Sequence, residues 1–215
     1  MPLICLVRHG QASFAAEDYD VLSELGRTQA AAVGQELARR GLRDPHLVSG
    51  TLTRQRDTAQ LLAEAAGFKE PVRNDTRWNE FDHVALLARY APSPQDAYSV
   101  QELLDHALLA WMADPAAAGD QAWAAFAEGA AAALDEVSAA LGRGRDAVVV
   151  TSGGLLAALI GTLLSLPPEG VVALNRVTVN ASVTTLAVGG SGTSLLTFND
   201  HAHFAGDRRP LLTYR

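Results

Sequence analysis

The chain has 215 residues, 48% of them hydrophobic and 19% charged, with 17 Lys and Arg against 24 Asp and Glu for a net charge of −7. A chain of this length buries about 70% of the surface its unfolded form exposes, enough for one core, and its apolar content excludes a disordered polymer. The acidic balance lacks the electrostatic footprint of a nucleic-acid binder. A lone cysteine, Cys5, forms no intrachain disulfide and calls for no oxidising compartment. The apolar run before Arg8 is too short for a signal-peptide core, and the stretch Leu155 to Leu166 stops at Pro167-Pro168, short of the roughly 20 residues of a membrane helix. A cytoplasmic protein with no membrane or nucleic-acid partner is expected.

Residues 3–9, an apolar run ending in Arg8 and His9, read as a buried parallel strand that delivers residues to a site at its carboxyl end. Ser23 is placed to cap a helix whose stripe is Gly26, Ala30, Val33 and Leu37, stopped at Gly41. His46 to Ser49 is a second strand, Thr53 to Ala66 a second helix ended by Gly67, and Pro71 to Trp78 a third extended segment. The stretch 82–142 is helical in character, divided by Pro92, Pro94 and Pro115, with a clear amphipathic stripe from Trp123 through Phe126, Ala130, Leu134 and Val137 to Leu141. It is expected as a helical insertion or cap on a single domain. Trp78, Phe81, Tyr90 and Trp111 are candidates for an apolar entrance, or for packing.

Asp146 to Thr151, with three consecutive valines, is the most evident strand, and Gly153-Gly154 opens another helix. Val177 to Val188 and Ser194 to Phe198, separated by Gly-Gly-Ser-Gly-Thr, predict a terminal β-hairpin. Strand–helix alternation with a terminal hairpin predicts an α/β fold with a mixed, mainly parallel sheet.

The chemistry centres on Arg8-His9-Gly10. An arginine forks onto two phosphate oxygens while a neighbouring imidazole nitrogen attacks phosphorus, and a glycine lets the backbone turn close to a ligand. The same triplet also suits a loop arginine beside a hydrogen-bonded histidine. At the other sheet position Ser152-Gly153-Gly154 offers backbone N–H groups at the positive end of a helix, which favours an anion. Ser152 as a nucleophile in a hydrolase elbow is weighed against its lack of the usual flanking glycine, since Val150 stands there. His201 and His203, two apart and near Asp200 and Asp207, are weighed as a metal pair against ordinary hydrogen-bonding histidines.

Five segments taken together carry a resemblance. Leu6-Val-Arg-His-Gly-Gln-Ala12, Leu22-Ser-Glu-Leu-Gly-Arg-Thr-Gln-Ala30, Ser49-Gly-Thr-Leu-Thr-Arg54-Gln-Arg-Asp-Thr-Ala59, Trp78-Asn-Glu80-Phe-Asp-His83 and Asn180-Ala-Ser-Val-Thr-Thr-Leu186 follow in the order seen in the phosphoglycerate-mutase-like histidine phosphatase superfamily, and the chain resembles that family over nearly its whole length. The resemblance implies a three-layer α/β/α sandwich. It also implies a phosphohistidine mechanism in which His9 is the nucleophile, Arg8 and Arg54 bind the phosphate oxygens, and Glu80 protonates the leaving oxygen. The partner is then a small phosphomonoester or inorganic phosphate, and no cofactor or metal is called for. A homo-oligomer is allowed by the exposed hairpin.

One position departs from the family's pattern. Its second histidine, which follows the valine-rich strand, is matched here by Ser152, which keeps a hydrogen-bond donor but supplies no charge. Two expectations follow: a phosphatase, favoured over a mutase because no further basic cluster is evident, or a phosphate-binding protein with weak or no turnover. His83, His201 and His203 are the candidates to enter the pocket in place of the absent histidine.

Overall fold

The computed structural model describes residues 1–13, 20–92, 99–117, 119, 122–142, 144–190 and 192–214. Six strands form one sheet in the order β3-β2-β4-β1-β5-β6. β1 (Leu3–Arg8) lies between β4 (Ala147–Thr151), which it pairs in parallel, and β5 (Val183–Gly189), which it pairs antiparallel. β2 (His46–Ser49) and the two-residue β3 (Arg73–Asn74) extend the parallel side, and β6 (Gly192–Asp200) closes the hairpin with β5.

The pleat sorts the strand side chains onto two apolar layers. Cys5, Val7, Val148 and Val150 pack with Val33 and Leu37 of α1 (Glu24–Arg39) and Leu62 of α2 (Thr53–Ala66). Ile4, Leu6, Ala147 and Val149 pack with Leu134 and Val137 of α5 (Trp123–Ala140) and Leu155 and Leu159 of α6 (Gly153–Leu163). This is a three-layer α/β/α arrangement on a mixed sheet, with β1 and β4 at its centre. Burial first, with Asp146 adding to it and Arg40 and Thr185 opposing, pushes the Cys5 thiol up to about 11, as expected of an inert core residue.

Local signals set the element ends. Ser23 Oγ accepts from the Gly26 N–H at 3.0 Å and opens α1. Gly41 and Gly67, both left-handed, follow the ends of α1 and α2.

Several predicted boundaries shift. Between Pro71 and Trp78 only Arg73 and Asn74 are strand, because Asp75 turns its carboxylate onto the Arg77 N–H and starts a 3-10 turn over Thr76–Trp78. The last strand pair begins at Val183 rather than Val177. Pro168 opens an unpredicted helix, α7 (Pro168–Val177), and the backbone after it bonds elsewhere: Val179 N–H to Asn199 Oδ1, Asn180 N–H to the Thr213 carbonyl and Ala181 N–H to the Arg8 carbonyl. Within 82–142, α3 (His83–Tyr90) and α4 (Val100–Ala113) stand beside the sheet while α5 lies on it as part of the main core. Pro94 lies outside the described residues.

A third apolar cluster joins α3, α4 and α7 through Leu86, Leu108, Trp111 and Val172. Trp111 packs edge-on to Phe81 and Trp123, at centroid distances of 5.6 and 5.1 Å.

Candidate active site

β1 and β4 end side by side, and the chain leaving each one builds the site. His9 follows β1; its backbone N–H donates to the Thr151 carbonyl at 2.8 Å, so the pairing continues one residue past the strand. The next turn is very tight: a Cβ on Gly10 would lie 2.4 Å from the Gly26 carbonyl oxygen, and one on Gly26 would lie 2.2 Å from the Gln11 oxygen. Only glycines let this loop press against α1. Thr58 Oγ1 accepts the Gly10 N–H at 3.0 Å, and the His9 carbonyl accepts from Asn180 Nδ2 at 3.3 Å.

The His9 ring is buried and its tautomer follows from its neighbours. Nδ1 lies 2.7 Å from the Gly10 carbonyl oxygen, which can only accept, so Nδ1 carries the proton. Nε2 then holds the lone pair, and Arg54 Nε donates to it at 3.2 Å. Burial first, then the positive charges of Arg54 and Arg8, hold the imidazole well below its ordinary range, against the raising effect of the Gly10 carbonyl. At neutral pH the ring is an uncharged base with Nε2 available.

Arg54 sits in the first turn of α2. Its Nη1 donates to Asp20 Oδ1 at 2.7 Å, and Asp20 Oδ2 also accepts from the Thr53 N–H at 2.7 Å. Asp20 therefore caps the helix and aims the guanidinium in one contact set. Arg8 Nη1 donates to the carbonyl of Tyr214 at 2.8 Å and to that of Thr178.

Glu80 follows the Thr76–Trp78 turn, and Asn79 beside it is fixed by reciprocal bonds with Thr51 at 2.6 and 2.8 Å. Glu80 Oε2 accepts from the Gly154 N–H at 3.0 Å, while Oε1 is buried with no hydrogen bond among the described residues. Burial raises the carboxyl pKa, opposed by the Gly154 N–H and by Arg54 and Arg8. Gly154 is required here, since a Cβ would lie 2.2 Å from the Phe81 ring and 2.5 Å from Glu80 Oε1.

Arg8, His9, Arg54, Glu80 and Gly153 line one cavity of about 370 Å³. Ser152 does not line it. The residue is fully buried as the N-cap of α6, and its Oγ accepts from Gln55 Nε2 at 2.9 Å, the same nitrogen that donates to the Trp78 carbonyl at 3.0 Å. Of the three histidines weighed for the vacancy, His83 lines the cavity. His201 bonds the Asn199 carbonyl, and His203 packs on Phe204 among Glu36, Arg40 and Asp200, away from the cavity. Among the described residues, no group of three or more His, Cys, Asp and Glu side chains is placed to hold a metal ion.

The expected aromatic entrance is reduced to Phe81. Trp78 and Trp111 are core residues, and Tyr90 donates its hydroxyl to Asp114 at 2.7 Å. Asp20, Gln55, Gln101 and Arg176 are site residues that motif reading passed over. Asp20 belongs to no recognisable motif, whereas Gln55 follows Arg54 directly and was within reach of the same reading.

The arrangement is a buried, uncharged imidazole flanked by two arginines, facing a carboxyl whose pKa burial raises. The glucosyl-3-phosphoglycerate phosphatase of Mycobacterium tuberculosis is 35% identical over 205 residues, covering 86% of this chain and 84% of the relative. A probable phosphoglycerate mutase GpmB of Serratia proteamaculans is 30% identical over 172 residues, covering 76% and 75%. The solved structure of a mycobacterial glucosyl-3-phosphoglycerate phosphatase complexed with VO3 superposes with a TM-score of 0.65 at 30% identity, over 94% of this chain and all of that one. The family model of the histidine phosphatase superfamily (branch 1) matches residues 4–201, and the chain belongs to that superfamily.

Proposed function

We propose that this protein is a phosphatase that hydrolyses small phosphomonoesters through a phosphohistidine at His9 Nε2. The observation that carries the reading is the pair of contacts on one ring: Nδ1–H held by the Gly10 carbonyl and the Nε2 lone pair turned to Arg54 inside the cavity. Nε2 attacks phosphorus as the ester P–O bond breaks, and Glu80 gives its proton to the departing oxygen. Water then attacks the phosphoryl group on His9, Glu80 takes a proton from it, and the N–P bond breaks to release phosphate. Arg54 and Arg8 exchange their present acceptors for the phosphoryl oxygens, where charge builds up in transfer. The Gly153 end of α6 adds a positive helix terminus. Ser152 supports this seat from behind, through the Gln55 amide.

The membership supports this reading, as do the relatives named as phosphatases; the acidic composition supports a setting without nucleic acid, and the lone cysteine supports a cytoplasmic one. A mutase would need a second phosphate held beside the first, for which the cavity presents, among the described residues, no further arginine free of a carboxylate. The second reading, a phosphate binder without turnover, is favoured by the burial of Ser152 away from the cavity. Hydrolysis of an aryl phosphate by the wild type and by His9→Ala separates them: loss of turnover in His9→Ala establishes the phosphohistidine route, and tight vanadate binding without turnover in the wild type establishes the binder.

A further inference from the structure

The cavity extends beyond the phosphate seat, and its outer part differs sharply from its floor. Phe81, Leu87 of α3, and Val100 and Leu104 of α4 form an apolar wall. Val100 is 65% exposed at the mouth, an apolar side chain left in water where a ligand would cover it. Opposite, at the end of α7, stands Arg176, the third arginine among the described lining residues after Arg8 and Arg54.

Arg176 is already paired. Its Nε and Nη2 both donate to Asp105 Oδ2, and Asp105 is a 3% exposed carboxylate whose Oδ1 accepts from Gln101 Nε2 at 2.7 Å. The pair is neutral as a unit and its carboxylate is fully hydrogen-bonded, so it forms a fixed brace between α4 and α7. An anionic group on the leaving alcohol would lose water against the apolar wall and meet a cation whose charge is cancelled. Desolvating a carboxylate without a compensating charge is strongly unfavourable. Among the described residues, the other basic side chain on this wall is His83.

Resting on the phosphatase reading above, we infer that the outer cavity is a leaving-group subsite for uncharged alcohols or phenols with an apolar body, and that it selects against carboxylate-bearing phosphomonoesters. The substrates are then aryl and arylalkyl or alkyl phosphates, whose carbon skeleton covers Leu87, Val100 and Leu104 while Gln101 and Arg176 bound the chamber without reading a charge.

The test compares three alkyl esters of similar intrinsic reactivity on the wild type: 2-phenylethyl phosphate, glycerol 1-phosphate and 3-phosphoglycerate. The expected order of kcat/KM is the order given, with at least about a tenfold advantage of the first over the last. Equal or better turnover of 3-phosphoglycerate overturns the inference while leaving the phosphatase reading intact. Absence of turnover on all three and on an aryl phosphate, or turnover that survives in His9→Ala, overturns the phosphatase reading and the inference with it. Asp105→Asn removes the countercharge and keeps the side-chain shape. Its expected effect is about a tenfold rise in the 3-phosphoglycerate to 2-phenylethyl phosphate ratio, and no change in that ratio overturns the assignment of Arg176 as a neutralised cation. The wild-type comparison decides the matter even where the variant fails to fold.

Discussion

Arg54 Nε points at His9 Nε2 from 3.2 Å, while Nη1 of the same guanidinium is held by Asp20. After burial, this guanidinium is the next cause that holds the His9 ring neutral, and in the proposed phosphohistidine route it stands where phosphoryl charge would develop. Arg54→Ala should lower kcat/KM by about 10²–10³, the usual effect of removing one donor to a transferring or oxyanionic centre. Arg54→Lys should recover little of it, because an ammonium cannot keep the Asp20 and His9 contacts in one plane. Asp20→Asn should give a smaller loss, expressed mainly in KM. Steady-state kinetics on one aryl phosphate checks all three, and an Asp20→Asn loss as large as that of Arg54→Ala would contradict a purely positioning role.

Glu80 predicts an alkaline limb to the pH profile. Its folded pKa is raised by burial, so the carboxyl keeps its proton above the ordinary carboxylate range and loses it as pH climbs further. Activity on alkyl phosphates should fall through that loss. At the acid end His9, held well below the usual histidine range, stays neutral and nucleophilic to unusually low pH. Glu80→Gln, which donates no proton, should cut kcat by about 10²–10⁴ on alkyl esters. The loss should be much smaller on aryl esters with good leaving groups. An undiminished rate on alkyl esters would remove Glu80 from the acid role.

Ser152 occupies a closed seat, and its substitution tests how far that closure limits the chemistry. Ser152→Ala leaves Gln55 Nε2 its bond to the Trp78 carbonyl and should cost no more than about 1 kcal/mol. Ser152→His forces a ring into a fully buried position against Gln55 and should cost about 1–3 kcal/mol by overpacking. Shortening the amide in Ser152→His/Gln55→Ala should recover most of that stability and raise turnover above the wild type. Thermal melts and aryl phosphate hydrolysis read both effects; a double variant no more active than the wild type would show that the missing charge does not limit turnover.

These substitutions also show what was legible beforehand. Arg8 and His9 stand out where an apolar strand ends, Arg54 and Glu80 follow from the family resemblance, and the sheet topology brings all four to one cavity. The central strands were legible for the same local reason: β1 and β4 are continuous apolar runs. Asp20 and Arg176 were not legible. Their importance comes from contacts made 34 and 71 residues away in sequence, with Arg54 and Asp105, and no periodicity encodes a pairing across such distances. Val177–Asn180 misread as strand because its β-branched residues fit a sheet. Asn199 and Thr213 take the backbone bonds that a neighbouring strand would have supplied, so tertiary context overrides propensity there.

His203, outside the active site, should govern acid stability. It is 9% exposed, packed on Phe204 at a centroid distance of 4.2 Å, and burial lowers its pKa from the ordinary value to about 4, with Arg40 lowering it and Glu36 and Asp200 opposing. The folded state thus refuses a proton that the unfolded chain accepts below about pH 6.5. This group's contribution to stability is complete above that pH and is lost as pH falls towards 4, since ν_U exceeds ν_N throughout the window. The full shift corresponds to about 3 kcal/mol at most. His203→Phe removes the titration while keeping a ring of similar shape. It should leave the melting temperature at pH 8 little changed and flatten its decline between pH 6.5 and 4. A variant whose melting temperature falls with acid as steeply as that of the wild type would move the cause of acid lability to the carboxylates paired with arginine, Glu36 and Asp200 among them.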